Sequence, residues 1–175
     1  MIGIRQKIMI GFGGLLAIIA VVGTLTMVQL GELGKAIDII LRENYRSTVA
    51  CQEMKESLER IDSGILYTLS GKSVEGSQLI DRYTTSFRKA LSVELGNITL
   101  RQESEKAQQV KAQFQKYIDL VPLAVSKERT LQERQTAYFS EIQPLFQRIK
   151  TLAQEILLMN QNNMVEANDT ARIKA

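Results

Sequence analysis

The polar residues that could do chemistry in this sequence stand where apolar ones are expected. Asn44 and Ser47 interrupt one apolar heptad seam, and Asn160 and Asn163 interrupt another. A buried amide or hydroxyl costs about 1–3 kcal/mol when unpaired, so a layer of this kind is hydrogen-bonded, wet or occupied by a ligand. Buried asparagines also fix register in coiled coils, and a polar layer is easier to rearrange than a jigsaw-packed apolar one, so register and signal transmission both stay open. Arg42 and Arg46 are one helical turn apart beside this layer, and with Arg101 they could converge on an anion such as a carboxylate or phosphate. The alternative for the arginines is a solvated face paired with Glu43 or Glu103. Cys51 is the one cysteine and there is no histidine, which excludes an intrachain disulfide and leaves no basis for a zinc or haem site. On the seam, Cys51 reads as a small buried hydrophobe. No phosphate loop, nucleophile elbow or pair of carboxylates stands at a catalytic spacing, and Asp and Glu are expected mainly on outward positions. The chain is therefore read as neither an enzyme nor a cofactor or metal carrier.

The elements that position these residues begin with an apolar run. Residues 8–31 carry no charge over 24 residues, enough for a helix to cross a bilayer core of about 30 Å. A signal-peptide core is shorter, so the run reads as an uncleaved anchor. Gly11, Gly13, Gly14 and Ala17 within it are a weak helix-pairing signal. From Leu30 the spacing becomes three-four: Leu33, Ile37, Ile40, Asn44, Ser47, Cys51, Met54, Leu58, Ile61, Ile65, Thr68. No proline or turn dipeptide separates the two, which predicts one rod to about residue 70, followed by a loop over 71–76.

A second helix is predicted over about 77–95, with Ile80, Tyr83 or Thr84, Phe87, Leu91 and Leu95 on its seam. A third spans about 100–127, started by a capping-box pattern of Thr99 and Gln102 and disturbed by Pro122. The fourth, over about 131–175, is capped by Thr130 and Glu133 and kinked near Ser140 by Pro144; its seam runs from Phe139 through Ile142, Phe146 and Ile149 to Asn160 and Asn163. Four such helices with short connections imply an all-α, antiparallel up-down-up-down bundle of two long and two short helices. By length, the turn at residues 96–99 should stand level with residues 44–47, and Asn160 and Asn163 at the same height. Replacing Asn44 and Asn160 by leucine is then expected to be neutral or stabilising.

Charge excludes a nucleic-acid partner. The chain has 22 Lys and Arg against 19 Asp and Glu; without Arg5 and Lys7, which flank the anchor, 20 remain against 19. Those two residues place the amino terminus inside by the positive-inside rule.

Several segments resemble the extracytoplasmic four-helix sensor regions of bacterial membrane receptors, most closely KinB-type sensor histidine kinases, with methyl-accepting chemotaxis receptors as the related class. They are Arg5-Gln-Lys-Ile before the anchor, Leu41-Arg-Glu-Asn-Tyr-Arg-Ser47, Met54-Lys-Glu-x-Leu58-Glu-Arg, Ile142-x-Pro144, and Leu158-Met-Asn-Gln-Asn-Asn-Met164. The resemblance implies a cytoplasmic segment 1–7, an anchor in the bacterial inner membrane over 8–31, and a periplasmic sensor domain over 32–175. It also implies a second membrane pass after Ala175, where the helical pattern has no stop, leading to a HAMP linker and a kinase core or chemoreceptor hairpin. The expected role is sensory input for a histidine kinase, with a chemoreceptor ligand-binding region as the alternative and a non-sensory coiled-coil anchor as the second. Expected partners are the membrane, a second copy of the chain through its membrane-proximal half, and a small molecule or periplasmic protein.

Overall fold

A single helix carries the apolar run into the heptad seam. The computed structural model describes residues 3–174, apart from the side chains at 6–8, 10, 32, 33, 36, 171, 173 and 174, and its α1 runs unbroken from Ile4 to Leu69. At about 1.5 Å per residue this rod is roughly 100 Å long. Within it, Gly11–Gly31 is long and apolar enough to cross a membrane, with mean hydropathy 2.1 and none of it buried against the rest of the chain. Then come α2 (Ser73–Leu95), α3 (Glu103–Val125), α4 (Leu131–Ala137), and a π turn at Tyr138–Ile142 that leads into α5 (Gln143–Lys174); the described residues contain no strand.

The core is where the seams meet. Every position of the α1 seam from Asn44 to Thr68 is buried, as are Ala107, Val110, Phe114, Tyr117, Val121 and Ala124 of α3. Burying a large aliphatic or aromatic side chain contributes about 1.5–3 kcal/mol, so packing between helices, more than helix propensity, holds this fold. Residues 11–31 lie outside that core and have no apolar partner within the chain.

Four local expectations are corrected. Helix α2 starts at Ser73, because the turn needs only Ser70–Lys72, with Gly71 at φ 92. Gly76, assigned to the loop, is a buried residue of α2 at a close crossing: a Cβ there would lie 2.2 Å from Thr68 Oγ1 and 2.5 Å from the Gly64 carbonyl. Helix α3 starts at Glu103, and the carboxylate of Glu103, in place of Gln102, accepts from the backbone N–H groups of Thr99 (2.7 Å) and Leu100 (2.9 Å). The seam of the last helix begins at Tyr138, leaving Phe139 exposed. Pro144 has no N–H for the carbonyl one turn back, the chain answers with a π turn closed by Gln143 N–H on Tyr138 O, and the extra residue rotates the preceding segment. The Thr130–Glu133 capping box forms in full.

Long α5 returns along α1. Tyr138 Oη donates to both carboxylate oxygens of Asp62 at 3.0 Å, Lys150 pairs with Glu59 at 2.6 Å, and Lys55 reaches Gln154. By contrast α2 lies close along α1 but meets α3 sparsely, pinned by Phe87 stacked on Phe114 with centroids 3.7 Å apart.

Candidate functional site

Polar side chains from every long helix close the end of the core that faces the apolar stretch. Asn44 and Ser47 on α1, Glu94 on α2, Glu103 on α3 and Asn160 on α5 are each 0% exposed. The α2–α3 turn adds Asn97 and Thr99.

Two hydrogen-bonded groups tie the turn to the helices. Asn97 Nδ2 donates to Ser47 Oγ (2.9 Å) and to the Glu43 carbonyl (2.7 Å), and Ser47 Oγ donates to the Asn97 carbonyl (3.5 Å). Thr99 Oγ1 donates to Asn44 Oδ1 (3.0 Å). Glu103 is the hub of the second group: Oε2 accepts the turn's two N–H groups, and Oε1 accepts Asn160 Nδ2 at 2.5 Å. A carboxylate with several N–H donors is the arrangement in which charge-assisted bonds run roughly twice as strong as neutral ones. The turn is therefore latched to α1 by Asn97 and Thr99, and to α5 through Glu103.

Glu94 has no such partners. Both its oxygens are buried without a hydrogen bond, and burial, with Glu103 close by adding like charge, pushes its pKa up to about 8. It is thus a neutral carboxylic acid at pH 7, while Ser47 nearby pulls weakly the other way. The same burial, joined by Glu94 and Glu103, holds the Cys51 thiol far above its ordinary range, so Cys51 is an inert core thiol. Asn44 Nδ2, Thr48 Oγ1 and Asn160 Oδ1 are also buried without partners. A layer with this many unmade bonds has several arrangements of similar energy open to it, because each orphan regains about 1–3 kcal/mol on finding a partner.

The structure brings Asn44, Ser47 and Asn160 together and leaves Asn163 one turn further along α5, half-buried and outside the hydrogen-bonded groups. Arg42, Arg46 and Arg101 are all exposed. Arg42 pairs with Glu43 at 3.2 Å, and among the described residues Arg46 and Arg101 form no ion pair. The two buried carboxyl groups of the layer, Glu94 and Glu103, make no ion pair with any of the three. No group of three or more His, Cys, Asp or Glu among the described residues could hold a metal ion.

The expectation that acidic residues face outward fails at Glu94 and Glu103. Both lie on seams that can be extended by count: Glu94 follows Phe87 by seven and Leu91 by three, and Glu103 precedes Ala107 by four and Val110 by seven. Asn97 and Thr99 carry no such signal, since a turn has no period. No family model, no curated protein and no solved structure matches this chain.

Proposed function

We propose that this chain is the sensory input region of a bacterial membrane sensor histidine kinase of the KinB type. Its helices form an antiparallel up-down-up-down four-helix bundle outside the cell membrane, with the amino terminus inside. Input reaches the membrane along α1 and α5, and the polar layer is where their relation to α2 and α3 is set.

The observation that carries this reading is the continuity of α1. One helix, Ile4–Leu69, is at once the apolar membrane-length segment and a wall of the core, and the α2–α3 turn is latched onto it at Asn44 and Ser47. A rigid rod transmits a shift or rotation that a jointed connection would absorb. A second copy of the chain fits the membrane-proximal half: Leu30 and Ile40, both on the α1 seam, stand exposed there, and a seam left open in this way is covered well by two further helices.

The test joins residues 1–175 to the second membrane helix, HAMP linker and kinase core of a well-behaved receptor and measures autophosphorylation in membranes. Asn97→Ala and Thr99→Ala, which unlatch the turn without touching α1, should shift kinase output several-fold in one direction. Output unchanged by both variants, with cysteines at 30 and 40 failing to crosslink between copies, would favour the non-sensory anchor.

A further inference from the structure

We propose that the polar layer is a proton-binding site, that Glu94 on α2 is the group that takes the proton, and that its loss releases the α2–α3 turn from α1. A proton is the ligand this layer can accept as it stands. Asn44, Ser47, Glu94, Glu103 and Asn160 are all 0% exposed, so a molecule would have to unpack the end of the core to reach them, whereas a proton needs no cavity.

The two carboxyl groups of the layer have opposite surroundings. Glu103 Oε2 accepts the N–H groups of Thr99 and Leu100, and its Oε1 accepts Asn160 Nδ2, which is the donor set of an anion. Both oxygens of Glu94 are buried without a hydrogen bond. Two ionised carboxyl groups in one buried layer repel each other and both lose their hydration, so one of them keeps a proton, and the donors decide that it is Glu94. The rise of the Glu94 pKa to about 8, caused by burial and then by the charge of Glu103, agrees with what the hydrogen bonds dictate.

Among the described residues no cation pairs with Glu94 to cancel the charge it would carry. Around it α1 places the Ser47 hydroxyl, which pulls weakly toward the anion, and the Cys51 thiol, itself held far above its ordinary range. Helix α3 places Glu103 beside it, and α5 contributes to the layer only the neutral amide of Asn160. On α2 itself the buried residues one and two turns back are Leu91, Ala90 and Phe87, all apolar. The basic residues around the layer are engaged or outside it: Lys55 is bonded to Gln154, Lys106 to Glu155 and Arg42 to Glu43, while Arg46 and Arg101 are exposed.

Glu94 lies in the last turn of α2, and the turn that follows it is held on α1 by Asn97 and Thr99. Moving that turn off α1 lets water reach Glu94 and returns its pKa toward the ordinary 4.5. The latched state thus binds the proton more tightly than the released one, and the ratio of latched to released protein falls about tenfold for each pH unit between about 5 and 8. Asn44 Nδ2, Thr48 Oγ1 and Asn160 Oδ1, buried without partners while the turn is latched, gain water when it leaves, which keeps the two states close enough in energy for one proton to choose between them. The consequence for signalling, that pH outside the membrane is an input, rests on the sensory reading above; the proton site and the release of the turn do not.

The experiment uses the full chain in lipid nanodiscs, titrated from acid to alkaline pH. Infrared difference spectra follow the C=O band of a protonated carboxyl group, and spin labels on cysteines introduced at the exposed positions 45 and 101 follow the distance from the turn to α1; Cys51 is buried and takes no label. A protonated-carboxyl band that Glu94→Gln lacks should persist at neutral pH and vanish with a midpoint well above 4.5, up to about 8. Over the same range the label distance should lengthen in the parent and stay short at every pH in Glu94→Gln. By linkage Asn97→Ala, which unlatches the turn, should lower the midpoint of the band by about one pH unit or more, a result that does not depend on the Glu94 variant folding. Absence of the band, a midpoint unmoved by Asn97→Ala, or a label distance indifferent to pH would each overturn the proposal. Titration and release of the turn together, with kinase output of the receptor fusion flat over that pH range, would leave the proton site standing and remove the sensory reading.

Discussion

Replacing Glu94 by glutamine should make this protein more stable at neutral pH and no more stable in acid. Glu94 has its native pKa pushed up to about 8 from an ordinary 4.5, so the native state keeps a proton that the unfolded chain releases between those values. Stability must therefore fall as pH rises through that window, by about 1.4 kcal/mol per unit, and the fall ends above pH 8 where both states have lost the proton. At pH 7 the accumulated loss is about 3 kcal/mol. Glutamine has nearly the same shape and cannot ionise, so Glu94→Gln removes the loss. At roughly 2–4 °C per kcal/mol for a chain of this size, the variant should melt about 6–12 °C higher at pH 7 and within a degree or two of the parent near pH 4.5. The assay is thermal unfolding by circular dichroism in one detergent at pH 4.5, 6, 7 and 8.5, read as the difference between the two proteins so that other carboxyl groups cancel. A constant difference at every pH would show that Glu94 titrates normally and would refute the argument from burial beside Glu103.

Three further substitutions test separate parts of the structure. Tyr117 Oη is buried without a partner, and burial with Asp62 and Tyr138 nearby holds its pKa well above the usual range; Tyr117→Phe should raise stability by about 1–3 kcal/mol in denaturant unfolding, and a loss would reveal a hydrogen bond to that hydroxyl. Gly76→Ala should cost about 1–3 kcal/mol or more, since its Cβ would meet Thr68 and the Gly64 carbonyl at 2.2 and 2.5 Å, and an unchanged melting temperature would mean that α1 and α2 are not locked there. Asn160→Leu should destabilise by about 1.5–3 kcal/mol, against the neutral outcome expected from the seam alone, because its partner Glu103 stays buried one donor short; equal stability in urea unfolding would show that Glu103 has an alternative donor.

The pattern of period 3.5 reports which face of a helix is buried, and it read the α1 and α3 seams to the residue, from Asn44 to Thr68 and from Ala107 to Ala124. It misread places where the backbone leaves that period. Pro144 announced a disturbance, but its form, a π turn that shifts the seam from Phe139 to Tyr138, depends on how the carbonyls it frees are rebonded. Gly76 resembled a loop glycine because a lone sequence does not distinguish a glycine that frees the backbone from one that admits a neighbouring helix.

The polar layer was half legible for a related reason. Asn44, Ser47 and Asn160 fall on seams as unexpected polar residues, and that is what singled them out, whereas Glu94 and Glu103 were given outward positions because charged residues usually take them. Glu103 shows why the prior fails here: its carboxylate is the acceptor for a turn with N–H groups at Thr99 and Leu100 that have no helix to enter, so burial is compensated locally. Glu94 has no such compensation and instead takes a proton, which makes it the member of the layer with a state set by its surroundings. If the α2–α3 turn moved away from α1, water would reach Glu94 and its pKa would return toward 4.5, releasing the proton at pH 7. The turn's latch and Glu94's proton are thus coupled in one direction: latching favours the neutral acid, and ionisation favours release of the turn.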